Sequence, residues 1–145
     1  MDIAGCYEAI KTKLIEGEYS FIEEADAHSN VFVITTTVGM IPKMEVFITC
    51  YDKPIIEIWC CLVAGDIEKE ETKNKLIAKL NELNSKHKLI KFVVHDNGYV
   101  YAEYAFMFYS EPVDVADYTM LIFDLVKISC DNTISEILEV LLENE

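Results

Sequence analysis

Catalysis or metal binding in this chain would have to be built from 3 histidines, 5 cysteines and 26 carboxylates. His28, His87 and His95 lie far apart. They show neither the His-x-x-x-His spacing nor the flanking Glu that seats zinc on one helix face, and they read as surface or hairpin side chains. Cys6, Cys50, Cys60, Cys61 and Cys130 form no Cys-x-x-Cys pair, and adjacent Cys60 and Cys61 on a strand point to opposite faces, poor geometry for sharing a metal. Odd in number and scattered through apolar segments, they read as reduced, buried thiols rather than a disulfide framework. Asp66, Glu68 and Glu70 alternate like a calcium loop but lack its Gly and its distant Glu, so they read as acids opening a helix. There is no Gly-rich phosphate loop and no Gly-x-Ser-x-Gly elbow, so no cofactor or metal is expected. Glu57 and Glu103 are the remaining carboxylates with a claim to acid–base work. Alternation puts both on the sheet face away from the core, where two solvated carboxylates are the ordinary outcome. A non-enzyme is therefore expected.

The elements that carry these residues follow from hydrophobic periodicity. Ile3, Cys6, Tyr7, Ile10 and Leu14 form one buried helical stripe, capped by Asp2 and ended at Gly17. A polar connector spans 23–30. Three strands follow at 31–38, 44–50 and 55–63, separated by Gly39-Met40-Ile41-Pro42 and by Asp52-Lys53-Pro54, and short connections make them an antiparallel meander. Ala64-Gly65-Asp66 opens a helix over about 67–85 with the stripe Leu76, Ile77, Leu80 and Leu83. Asp96-Asn97-Gly98 then turns a hairpin between 89–94 and 99–109. From about Val115 the chain is helical, with Ile122, Leu125, Val126 and Ser129 inside and Asp117, Asp124 and Asp131 outside. A capping box at Thr133 to Glu136 is expected to break and restart this helix, and Ile134, Ile137, Leu138, Leu141 and Leu142 continue its apolar stripe. The expected fold is a single two-layer α+β domain of order α-β-β-β-α-β-β-α, with a five-stranded antiparallel sheet.

Strand alternation also defines a surface. With Val46, Ile58, Val100, Tyr104 and Phe106 inward, Phe47, Trp59, Tyr99 and Tyr101 point outward beside Glu45, Glu57 and Glu103. An aromatic patch edged with carboxylates suits an apolar or basic peptide, or a second copy of the chain. A helix or loop over these rings, or a register shift of one residue, would remove that surface.

Charge narrows the partner. The net charge is −14 and all 12 basic residues are Lys. Without the planar guanidinium fork, nucleic acid and anionic membrane are unsuitable main ligands. Residues 111–145 hold 9 acids and 1 Lys, an acidic third that reads as a solvated helix face and secondarily as an attractor of a basic partner. No apolar run reaches the ~18 residues of a membrane span, and Met1-Asp2-Ile3-Ala4-Gly5 lacks the pattern of a secretory signal. A cytoplasmic protein is the expectation.

Leu83-Asn84, Ile90-Lys91-Phe92-Val93-Val94 and Asp96-Asn97-Gly98-Tyr99-Val100-Tyr101-Ala102-Glu103-Tyr104, followed by a long apolar-acidic helix, resemble the YbjN-like family, related in fold to the type III secretion chaperones. The likeness is strongest over residues 80–130 and rests on structural residues, with no catalytic motif to carry across. It implies the element order above, frequent homodimerisation, and a role as a sensory-transduction regulator or chaperone-like adaptor. It does not imply secretion. A small-molecule sensor with an apolar pocket between sheet and helices is the alternative reading.

Overall fold

The computed structural model describes residues 2–39, 41–63, 67–96 and 98–143. Helix α1 (Ile3–Glu16) is opened by Asp2, whose carboxylate accepts from the Gly5 amide at 2.8 Å. It ends at Gly17, but the left-handed turn out of the helix falls one residue later, on Glu18 with φ 56°. Part of the expected polar connector is a strand, β1 (Ser20–Ala25), paired antiparallel with β2 (Ser29–Val38). An edge strand has one neighbour and little burial, so β1 shows no apolar alternation to betray it. Asp26 makes the turn, its carboxylate accepting from the amides of His28 at 2.7 Å and Ser29 at 2.8 Å.

The remaining elements are β3 (Ile41–Tyr51), β4 (Ile55–Val63), α2 (Glu70–Lys86), β5 (Lys91–Val94), β6 (Val100–Met107) and α3 (Pro112–Leu142). Among the described residues the fold is α+β, with three helices and one antiparallel sheet of order β1-β2-β3-β4-β6-β5. That sheet has six strands, one more than the five expected. Helix α2 starts three residues later than expected; its anticipated opening at Ala64-Gly65-Asp66 lies outside the described residues, as does Asn97 of the hairpin turn. Around Asn97 the hairpin closes as expected: Gly98 takes φ 82° and the His95 amide donates to the Tyr99 carbonyl at 2.9 Å.

Helix α3 runs unbroken through the expected restart at Thr133. The Thr133 hydroxyl is spent within the helix, donating to the Ser129 carbonyl at 2.6 Å, so it is not free to cap a new one.

All three helices lie on one face of the sheet. Tyr7 of α1 stacks on Phe32 of β2, Cys130 of α3 meets Cys60 of β4, and Asn84 of α2 bonds the backbone of Phe92 in β5. Between the layers Ile10, Ile34, Ile48, Ile58, Phe123 and Val126 are fully buried in one core. The last contact also protects an edge. The Asn84 side chain donates to the Phe92 carbonyl at 2.9 Å and accepts from its amide at 2.7 Å, replacing a further strand beyond β5.

Candidate functional site

The sheet face opposite the helices carries the aromatic and acidic residues singled out by alternation. Antiparallel register sets them in cross-strand rows. In the central row Ile22, Val33, Phe47, Trp59, Glu103 and Lys91 lie opposite one another in turn from β1 to β5. Thr49 of β3 faces Glu57 of β4, and Glu57 faces Ala105 of β6, in the next row. Glu45, exposed, pairs with Thr35, and Tyr101 with Cys61, on the other side of the central row.

The Phe47 and Trp59 rings stack in parallel, centroids 4.0 Å apart and planes 6° from coplanar. Tyr101 meets Trp59 edge-on at 5.5 Å, and His95 meets Tyr101 edge-on at 4.5 Å. The Trp59 indole donates to the Thr49 hydroxyl at 3.3 Å. Beneath this ladder Val33 and Thr49, both on the outward face, are only 6 % exposed, so the rings cover them while remaining half-buried themselves. Tyr99, one residue before β6, continues outward beside Tyr101 at a groove of about 660 Å³. The groove runs from the rings past Cys61 and Met44 to Ile134 and Leu138 of α3.

Electrostatically the face is unbalanced. Among the described residues Glu45, Glu57 and Glu103 form no ion pair. Burial, and secondly the charge of Glu103, push the Glu57 carboxyl above its ordinary value. Lys91 stands directly opposite Glu103, yet its ammonium is turned to the end of α2, donating to the carbonyls of Asn84 at 3.2 Å and His87 at 3.0 Å.

The histidines stay apart. His28 is exposed and pairs with Asp52 at 3.2 Å, His87 closes α2 with its ring on Phe92, and His95 packs on Tyr101. Among the described residues no group of three or more His, Cys, Asp and Glu side chains is placed to hold a metal. Cys6, Cys50, Cys60 and Cys130 are buried free thiols, and Cys61 is half-buried at the groove. Also among the described residues, no helix is long and apolar enough to cross a membrane.

Sequence reasoning missed the apolar ends of this face. Ile22 and Met107, both 60 % exposed, extend it on β1 and β6. Met107 was legible from the parity of Tyr101 and Glu103. Ile22 was hidden with the strand that carries it. Comparison of the chain with protein-family models, with curated proteins and with solved structures finds no match.

Proposed function

We propose that this chain is a non-enzymatic protein-binding module, a chaperone-like adaptor or regulator that docks another protein on its outer sheet face. The observation that carries this reading is the Phe47–Trp59–Tyr101 ladder, three rings in consecutive contact on the face the helices leave open. Such rings supply large contact area at small entropic cost, the usual make-up of an interface centre. The antiparallel sheet with helices on one face is compatible with the YbjN-like, type III secretion chaperone-like architecture, with β1 as an added edge strand. That likeness supports the adaptor role and, with it, homodimerisation. Two copies meeting on this particular face would set unpaired carboxylates against each other, so the face itself is assigned to a different protein.

The test is capture from a lysate on immobilised protein, comparing wild type with the Trp59→Ala, Tyr101→Ala double variant after circular dichroism has shown both folded. Partners held by wild type and released by the variant are the expected result. Identical partners on both would remove the face from the function. The small-molecule alternative finds space in the groove beside Trp59 rather than between the layers, where the core side chains are fully buried. A metabolite that raises the melting temperature in place of any protein partner would favour it.

A further inference from the structure

The chemistry of the partner follows from what the face lacks, given the docking role proposed for it. Glu57 and Glu103 flank Trp59: Glu103 lies directly opposite it, and Glu57 lies two residues before it on the same strand and the same face. Burial first, and the charge of Glu103 second, hold the half-buried Glu57 carboxyl up. Lys91, the cross-strand neighbour that would neutralise Glu103, is committed to the α2 carbonyls, and Lys43 at the groove rim forms no ion pair with these acids. A cation at this point relieves the repulsion of both carboxylates. It also meets an indole, the side chain whose π-face attracts ammonium and guanidinium groups best. Around it the surface is apolar, with Phe47, Tyr101 and Cys61 lining the groove and Ile22 and Met107 exposed beyond.

We propose that the outer face takes an extended, Lys- or Arg-bearing segment of another protein, its cation seated beside Trp59 between Glu57 and Glu103 and its apolar side chains laid along Phe47 and Tyr101. An extended segment matches the rows because its side chains alternate at the spacing of the strands beneath. An acidic segment is rejected by the same uncompensated charge that would recruit a basic one.

Trp59 is the chain's single tryptophan, so its emission reports on this face alone. The probe is a short fluorescent peptide alternating Lys with Val, compared with Ser-Val and Glu-Val counterparts by anisotropy and by Trp59 emission. The Lys peptide should shift Trp59 emission saturably, bind about tenfold or more tightly than the Ser peptide, a difference of about 1.4 kcal/mol, and weaken as salt rises. Glu57→Gln with Glu103→Gln should weaken it about tenfold, whereas Asp124→Asn with Glu139→Gln, an equal charge change on exposed positions of α3, should alter it less than about twofold. Equal weakening by the two double variants would reduce the effect to the general attraction of an acidic chain and overturn the proposal. Equal binding of Lys and Ser peptides would overturn it too, while leaving the face as an apolar docking surface. If no peptide moves Trp59 emission, the docking role falls with it. A dimer of the free protein that the Lys peptide dissociates would assign the face to a second copy instead.

Discussion

Trp59→Ala separates a surface ladder from a core, because the two give different losses of stability. In the folded chain Trp59 stacks on Phe47, touches Tyr101 edge-on and donates one long hydrogen bond to Thr49. A stacked pair contributes about 0.5–1.5 kcal/mol beyond its area, and a neutral bond at 3.3 Å adds about 0.5 kcal/mol at most. With about 1 kcal/mol for the apolar area that the half-buried ring covers, truncation should lower stability by about 2–3 kcal/mol, small beside the ~5–15 kcal/mol of an ordinary domain. Phe32→Ala is the reference on the other face. Phe32 is fully buried, stacked on Tyr7 and in edge contact with Phe21, and its loss should remove about 3–5 kcal/mol. At roughly 2–4 °C per kcal/mol for a chain of this size, Trp59→Ala melts about 4–12 °C early and Phe32→Ala about 6–20 °C early. Far-ultraviolet circular dichroism is the assay, since the variant has lost its only tryptophan. A Trp59→Ala shift as large as that of Phe32→Ala would show the ring to be core, and the docking face would be lost with it.

Glu57→Gln should raise the melting temperature at neutral pH. Burial and Glu103 hold the Glu57 carboxyl above its ordinary value, so the ionised form is penalised in the folded state only. The gain should be full above the raised value and vanish as pH falls below the normal carboxylate range, where the group is protonated both folded and unfolded; a gain that persists there would refute the electrostatic cause. Asn84→Ala should free the outer backbone groups of Phe92 and destabilise by about 1–3 kcal/mol, with faster amide exchange at Phe92 and little change at Ile48 in the sheet centre. A thiol reagent should modify Cys61 first in the native protein, and the four buried cysteines only on unfolding. Burial pushes the Cys50 thiol up to about 12, which further slows that site at neutral pH.

How much of this was legible depended on which physical signal each element leaves. Strands β2, β3 and β4 announce themselves because one face is buried and the other is not, so Ile48, Ile56 and Ile58 alternate with Glu57 and Trp59. Strand β1 is an edge, held by backbone pairing with β2 alone, and Ser20, Glu23 and Glu24 carry no periodicity to mark it. In α3 the opposite error arises from a real local signal: Thr133 and Glu136 have the spacing of a capping box, but tertiary packing of Cys130 and Ile137 on either side keeps the helix straight through it. On that helix Phe123 is fully buried although the expected stripe left it out, since the helix faces both α1 and the sheet and needs a wider apolar arc than one stripe.

The face itself was readable from parity, but its energetic meaning was not. Parity places Phe47, Trp59, Tyr101, Glu57 and Glu103 on one side, and nothing in it says that Phe47 and Trp59 are cross-strand partners, which requires the register. Lys91 is the sharper case. Opposite charges at Lys91 and Glu103 would read as a routine surface pair, worth about 0–1 kcal/mol. The end of α2 offers Lys91 two carbonyls from the negative pole of a helix dipole, and both accept from it. Two charge-assisted bonds to backbone outweigh one solvated ion pair, so the cation leaves the sheet face and the carboxylate stays. The same helix end that seals the β5 edge through Asn84 thus leaves Glu103 uncompensated beside Trp59. The two consequences can be separated by experiment: Lys91→Gln would release the helix carbonyls yet leave the charge on the outer face unchanged. Stability should fall while affinity for a basic peptide holds. A rise in that affinity would mean that Lys91 had been neutralising Glu103 on the sheet face after all.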